Sequence, residues 1–350
     1  MISVDATPLV VDPRRGVARA LRARLAGWAQ ACPDRPLTLF APRGLDDDVG
    51  FEVVTPNRST DSSRTFRRRL PALLLGAGAT VLYSPFSAFP RTTVPVVVTV
   101  HELPWVRGGD AAEGRLRARS HRWWLRRDVT KAAAIVVPSE ATRDDLLQVH
   151  PYAAARVHVI PNAFDPTPWA RAAEGIEKAT PPTLVVVGTG HGAAGARKKG
   201  LDVFFDALRV LPDVRAVVVG RVRGRVPAGV EVRTDLDDDA LARLVAAATC
   251  LVHPARSEGF GYPPLEAMAV GTPVVTTTGG ALPEIVGDAA LVVPCDRDHL
   301  AAALREMLAD DALRARYVEA GGRRVRDAAF DPQVGARRLA AVLEGAEAER

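Results

Sequence analysis

The stretch Thr183-Leu184-Val185-Val186-Val187-Gly188 is apolar at nearly every position and closes on a glycine. A strand that alternates apolar with polar buries one face. A strand without alternation is covered on both faces, the mark of a parallel sheet between helix layers. The same grammar runs outward in both directions. Towards the C-terminus come Arg215–Gly220, Val230–Arg233, Cys250–His253, Pro273–Thr277 and Ala290–Val293; towards the N-terminus come Val157–Ile160, Ile135–Pro138, Val94–His101, Val81–Ser84, Leu37–Ala41 and Ile2–Asp5. Longer amphipathic segments separate them. Such strand–helix repetition predicts doubly wound α/β structure.

Between the two series, Pro161 to Pro182 holds five prolines and little apolar periodicity, which reads as a connection between domains. The expected organisation is one Rossmann-like domain over 1–165, a linker over 166–182, a second such domain over 183–330, and a final helix within 331–350, beginning near Pro332, that can pack back on the first domain. Two such domains facing each other would make a cleft, with ligands beyond the carboxyl ends of the strands.

Composition narrows the function classes. The chain has 350 residues, 47% hydrophobic and 25% charged, enough for two packed cores. The net charge is +5 and most of the basic residues are arginine, which suits phosphate. The partners this admits are a nucleotide, an anionic acceptor or an anionic membrane surface. There is no aromatic–basic RNA motif and no zinc finger, so nucleic acid is not expected. Cys32, Cys250 and Cys295 are odd in number and far apart, against a disulfide framework or a zinc site; the settings of Cys250 and Cys295 predict buried thiols. Met1–Val11 does not read as a secretory leader and no apolar run is long enough to span a bilayer, so a cytoplasmic location is expected.

The most informative segment runs Ser257-Glu258-Gly259-Phe260-Gly261-Tyr262-Pro263-Pro264-Leu265-Glu266-Ala267-Met268-Ala269-Val270-Gly271-Thr272-Pro273. It follows a strand ending at His253. Two glycines make a turn, proline opens a helix and Gly271 ends it. The Gly259–Gly261 amides and the first helical turn suit a diphosphate or a sugar oxygen. Glu258 and Glu266 are placed to accept hydrogen bonds from hydroxyls; the plainer reading makes them a turn residue and a solvated helix residue.

This segment resembles the glutamate–seven–glutamate signature of family four glycosyltransferases. Gly271-Thr272-Pro273-Val274-Val275 and Gly279-Gly280-Ala281-Leu282-Pro283-Glu284-Ile285-Val286 resemble that family's next two elements. The resemblance implies a GT-B fold and a retaining transfer of a sugar from a nucleotide diphosphate. It puts Glu258 on the donor sugar and Glu266 on the ribose. Residues 1–165 would form the acceptor side and 183–330 the donor side.

The loop Thr189-Gly190-His191-Gly192-Ala193-Ala194-Gly195-Ala196-Arg197-Lys198-Lys199-Gly200 follows the opening strand. Glycines let backbone approach phosphate and the cations neutralise it. It is only loosely like a dinucleotide fingerprint: Gly220-Arg221 stands where an acidic ribose ligand belongs, which disfavours a nicotinamide cofactor. No cofactor is expected. The resemblance makes Lys199, before Gly200, the diphosphate ligand. The family's usual arginine after the strand-end glycine is Thr189 here, and Arg197 is the candidate replacement. Lys198 reads as a solvated cation.

His101-Glu102, closing the Val94–His101 strand, resembles the family's histidine–aspartate element and puts His101 beside the donor sugar. Arg14-Arg15-Gly16-Val17-Ala18-Arg19 resembles its first glycine loop, with Gly16 next to the donor phosphates; an irregular arginine loop is the alternative. Ser139 is expected to cap a helix, with Arg143 on an exposed turn. Asp235, Asp237, Asp238 and Asp239 read as helix capping and dipole pairing, and no metal is expected. The segment around Trp123-Trp124 is rich in arginine: it fits an anionic membrane surface or a helix with its tryptophans inward, and the second is preferred.

The resulting expectation is a retaining hexosyltransferase, mannosyl or glucosyl, acting on a sugar or lipid-linked acceptor in polysaccharide, glycolipid or glycoconjugate synthesis. It would be metal-independent and cytoplasmic, and either free or peripheral at the inner membrane face. The rival readings are a sugar-nucleotide epimerase or phosphorylase on the same scaffold, and an inactive nucleotide-sugar-binding protein.

Overall fold

Every strand pairing among the described residues is parallel. The computed structural model describes residues 1–13, 16–46, 48–57, 62–108, 115–188, 197–211, 214–222 and 225–348. In the first half, β1 (Ile2–Asp5), β2 (Leu37–Phe40), β3 (Glu52–Val54), β4 (Val81–Ser84), β5 (Val96–Thr99), β6 (Ala134–Val137) and β7 (Val157–Val159) form one sheet in the order β3-β2-β1-β4-β5-β6-β7. In the second, β8 (Thr183–Val187), β9 (Arg215–Val219), β10 (Val230–Arg233), β11 (Cys250–His253), β12 (Val274–Thr277) and β13 (Leu291–Val293) form another, ordered β10-β9-β8-β11-β12-β13. The chain divides into two compact units. One comprises Met1–Leu103, Arg119–Phe164 and Ala328–Arg350; the other comprises Pro104–Ala118 and Asp165–Asp327.

The strands predicted from uninterrupted apolar runs are there because helices cover both their faces. β1, β2, β4, β5, β6, β11 and β12 are buried at every position. The Val94–His101 run is shorter than predicted, reaching only from Val96 to Thr99: Pro95 has no N–H for the ladder, and only its carbonyl accepts, from Leu82. β3 was not predicted, since it is a three-residue edge strand exposed or half-exposed throughout.

In the first unit the helix Pro332–Ala348 packs on the helix Gly16–Ala31, with Ala336, Leu339, Ala340 and Leu343 joining Leu21, Leu25 and Trp28 in one core cluster. In the second, the segment expected to be a bare linker carries a helix, Thr167–Ala172, that buries Trp169. Further along it, Lys178 Nζ donates to the carbonyls of Ala246 and Ala248, both at 2.9 Å, and to Thr272 Oγ1 at 3.0 Å. One buried tryptophan and the hydrogen bonds of Lys178, rather than apolar periodicity, dock this stretch, so its composition did not reveal it.

Other expectations meet their outcomes here. Ser139 caps the helix Glu140–Val149, accepting from the Thr142 amide at 3.1 Å, and Arg143 pairs with Glu140. Asp237 caps the helix Asp238–Ala247 through the Ala240 amide at 2.7 Å. Cys250 is buried, and burial pushes its thiol up to about 12; Cys295 is only half-buried, being in a loop after the edge strand β13. The tryptophans correct the preferred reading. Trp123 is 58% and Trp124 37% exposed, because Ala118, Leu125 and Val129 take the inward face of the helix Arg115–Lys131. Among the described residues no helix is long and apolar enough to cross a membrane.

Candidate functional site

The site follows from the order of the second sheet. Strand numbering reverses between β8 and β11, so the loops leaving these adjacent strands part to opposite sides and leave a crevice at their carboxyl ends. The loop after β8 ends in Lys199-Gly200 and the loop after β11 carries Glu258.

Two glycines fit these loops together. Gly200 has φ +67°, and a methyl there would run into the carbonyl oxygen of Pro254. Gly280, at φ +68°, lies against Glu258 so closely that a methyl would meet the Glu258 amide nitrogen at 2.8 Å and overlap its carbonyl oxygen. Only glycine combines positive φ with such an approach. The Glu258 carbonyl accepts from the Ala281 amide at 2.9 Å. Arg256 then ties the two loops: it forks onto Asp202 at 2.7 and 2.8 Å and donates to the Arg197 carbonyl at 2.5 Å, while its amide donates to the Lys198 carbonyl at 2.8 Å.

The result is an ion pair between Lys199 Nζ and Glu258 Oε1, with side chains 23% and 11% exposed. His253, at the end of β11 and 1% exposed, points Nε2 at the same oxygen from 3.3 Å. That contact is long, and Nε2 has no well-formed hydrogen bond. Burial pushes the Glu258 carboxyl up, but Lys199, His253 and Lys198 together pull it well below the ordinary carboxylate range. Burial pushes the His253 imidazole down. At neutral pH Glu258 is therefore a carboxylate and His253 a neutral ring.

After this comes the turn Gly259-Phe260-Gly261. Gly261 has φ +102° and precedes the helix Tyr262–Ala269, whose start no side chain caps. Phe260 is buried, with Tyr262 edge-on to it at 5.1 Å. Glu266, within the helix, is 1% exposed. The Arg197 side chain is exposed while its carbonyl is held by Arg256. Residues 189–196, including Thr189, lie outside the described residues, as do Arg14 and Arg15.

The other predicted residues belong to the first unit. Gly16 opens its helix, exposed. His101 follows β5, half-buried, with Nε2 2.8 Å from the Pro85 carbonyl oxygen. A carbonyl only accepts, so Nε2 carries the hydrogen and Nδ1 is the acceptor of the neutral ring. Burial lowers the imidazole to about 4, against the Pro85 hydrogen bond, and Arg24 adds to the lowering.

The sign of the resulting pH effect is fixed. Between pH 6.5 and about 4 the unfolded imidazole takes up a proton that the folded one does not, so stability falls as pH drops through that window. Melting temperatures of wild type and His101→Gln across it should show a flatter slope for the variant; equal slopes would contradict this environment for His101.

Sequence reasoning missed His253 and Arg256. His253 carried the signal that singled out His101, a polar residue closing a buried strand. Arg256 carried none, because its role depends on two loops that only the fold brings together.

Comparison with known proteins gives two adjacent family matches. Residues 16–167 match a profile described as Glycosyltransferase Family 4, and residues 173–324 one described as Glycosyl transferases group 1. The chain is 31% identical over 284 residues to the MMP alpha-(1->4)-mannosyltransferase of Mycolicibacterium hassiacum; the alignment covers 72% of this chain and 66% of the relative, just under two thirds of its length. The fold is similar to that of sucrose-phosphate synthase from Thermosynechococcus elongatus, with a TM-score of 0.77 at 18% identity over 100% of this chain and 99% of that one. It is also similar to that of Anabaena HepE in complex with UDP and glucose, with a TM-score of 0.71 at 18% identity over 98% of each chain.

Proposed function

This chain belongs to glycosyltransferase family four, and on that premise we propose that it moves a hexosyl group, mannosyl or glucosyl, from a nucleotide diphosphate to an acceptor hydroxyl with retention of anomeric configuration. The observation that carries this is the Lys199–Glu258 pair at the crevice between β8 and β11. The names of the relatives support it: one is a mannosyltransferase, and a structural neighbour is seen with UDP and glucose.

In this reading residues 183–330 take the donor and residues 1–165 the acceptor. The diphosphate lies on the Gly259–Gly261 amides and the amino end of the helix Tyr262–Ala269, where N–H groups and the helix dipole meet anions. Lys199 turns part of its charge from Glu258 to the diphosphate, and Arg197 reaches it from the exposed side. Glu258 accepts hydrogen bonds from the sugar hydroxyls, Glu266 from the ribose. His101 offers Nδ1 to a donor-sugar hydroxyl, and Gly16 leaves room beside the phosphates.

The chemistry needs charge stabilisation above all. The bond from the anomeric carbon to the phosphate oxygen breaks, and its electron pair stays on the diphosphate. The acceptor oxygen bonds to the same face of that carbon and gives its proton to the departing phosphate. Lys199, Arg197 and the turn amides hold the growing negative charge, so the scheme calls on no metal. The acceptor is a sugar or lipid-linked hydroxyl in polysaccharide, glycolipid or glycoconjugate synthesis.

A thermal-shift screen of UDP, GDP, ADP, dTDP and their sugars tests this. One base should raise the melting temperature by several degrees at saturating ligand, as a ligand of the folded state alone must. The matched donor and an acceptor should then yield glycosylated product. No shift from any nucleotide, or an isomerised donor as the product, would reject the proposal.

A further inference from the structure

The helix Arg115–Lys131 has a charge that donor binding does not explain. Six arginines and Lys131 stand against the single Asp128, a net +6 where the whole chain is +5, so all other residues together are −1. Ala118, Leu125, Asp128 and Val129 are buried, while Arg119, Arg122, Trp123 and Arg126 are exposed. The exposed four are spaced three and four apart and share one face. The rings of Trp123 and Trp124 meet edge to face at 4.7 Å on this surface. The exposed Tyr152 adjoins it, its hydroxyl 3.2 Å from Thr130 Oγ1. Tryptophan is ordinarily well buried, and aromatic rings set among cations on a surface mark an interaction site.

Beside the helix lies an open cavity of about 610 Å³ lined by Phe89, Arg91, Trp123, Arg127 and Lys131, among others. The backbone entering β5 and β6 forms its wall, so it lies at the amino ends of those strands. His101 follows β5 at the opposite end. Arg127 is fixed there: it donates to the Phe89 carbonyl at 2.8 Å and lies 5.0 Å over the Phe89 ring and 5.3 Å over that of Trp124.

We propose that this face docks on an anionic phospholipid membrane, with a headgroup phosphate in the cavity between Arg91, Arg127 and Lys131 and the two tryptophans at the boundary between headgroups and acyl chains. A free anion would use the cations and leave the rings in water. A surface with phosphate and an apolar layer a few ångströms apart uses both. The docking residues Arg91, Trp123, Trp124, Arg127 and Lys131 all lie in the first unit, and the docking stands whether or not the donor reading does. It would bring the enzyme to lipid-linked acceptors.

The test is co-sedimentation of the full chain with vesicles of phosphatidylcholine and of a phosphatidylcholine–phosphatidylglycerol mixture, at low and high salt. The protein should pellet with the anionic mixture only, and less as salt shortens the reach of charge. Arg91→Gln with Lys131→Gln should weaken partition by roughly 20–30-fold, at about fivefold per basic residue. Trp123→Ser with Trp124→Ser should weaken it by on the order of tenfold. Both pairs should keep the wild-type melting temperature and its rise with nucleotide, which separates failure of docking from failure of the donor site. Equal pelleting with neutral vesicles, or variants that pellet like wild type, would overturn the proposal. So would binding of inorganic phosphate or of an acidic polypeptide with all vesicles left unbound.

Discussion

Lys199→Ala should lower the rate of glycosyl transfer by about 10²–10³-fold, the usual loss when one preorganised group facing transition-state charge is removed. The loss should fall on kcat more than on KM, because the diphosphate gains charge as the bond breaks. Lys199 also holds Glu258, whose side chain is 11% exposed. Without the ammonium that carboxylate has burial against it and only His253 and Lys198 for it. Stability should therefore also fall, by about 1–3 kcal/mol for a polar group left short of partners. Lys199→Met with Glu258→Gln separates the two effects: it should recover part of the stability and none of the rate. Glu258 has a lowered folded pKa, so its stabilisation is present above the ordinary carboxylate range and is lost only as pH falls through the lowered value. In Lys199→Ala the window between the unfolded and folded values should narrow, so the loss on acidification should be smaller. An unchanged rate in Lys199→Ala with authentic donor would remove this residue from the diphosphate.

Gly200→Ala should cost at least about 2–4 kcal/mol, from a left-handed backbone that alanine resists and a clash that no rotamer relieves. The new methyl meets backbone, the carbonyl oxygen of Pro254, so the loop itself must move. The loop carries Lys199, and the turn it leans on leads to Glu258. Transfer should fall along with stability, and nucleotide should raise the melting temperature less than in wild type. Melting curves with and without nucleotide check both; a variant as stable as wild type would mean that the two loops do not meet this closely.

Much of this was open to a reader of the sequence. Runs such as Val96–Thr99 and Leu184–Val187 are apolar without alternation, and only a strand covered on both faces has use for that pattern. The glycines at 200, 261 and 280 announced backbone that other residues do not adopt, though not what they approach. Glu258 and Glu266 were visible through family resemblance rather than through spacing alone. The helix Thr167–Ala172 was hidden because five prolines masked one buried tryptophan. The outward turn of Trp123 could have been found: Ala118, Leu125 and Val129 share one side of a helix and leave position 123 on the other. Contacts between loops were beyond the sequence. Arg256 on Asp202 and Lys199 on Glu258 exist because β8 and β11 are neighbours, and only strand order decides that.

The most direct test is a crystal structure of the protein with the nucleotide diphosphate that raises its melting temperature most. The diphosphate should be within hydrogen-bonding distance of Lys199 Nζ and the Gly259–Gly261 amides, with Glu266 on the ribose hydroxyls and Glu258 turned towards the space of the missing sugar. A nucleotide bound elsewhere, with the Lys199–Glu258 pair undisturbed, would contradict the account at its centre.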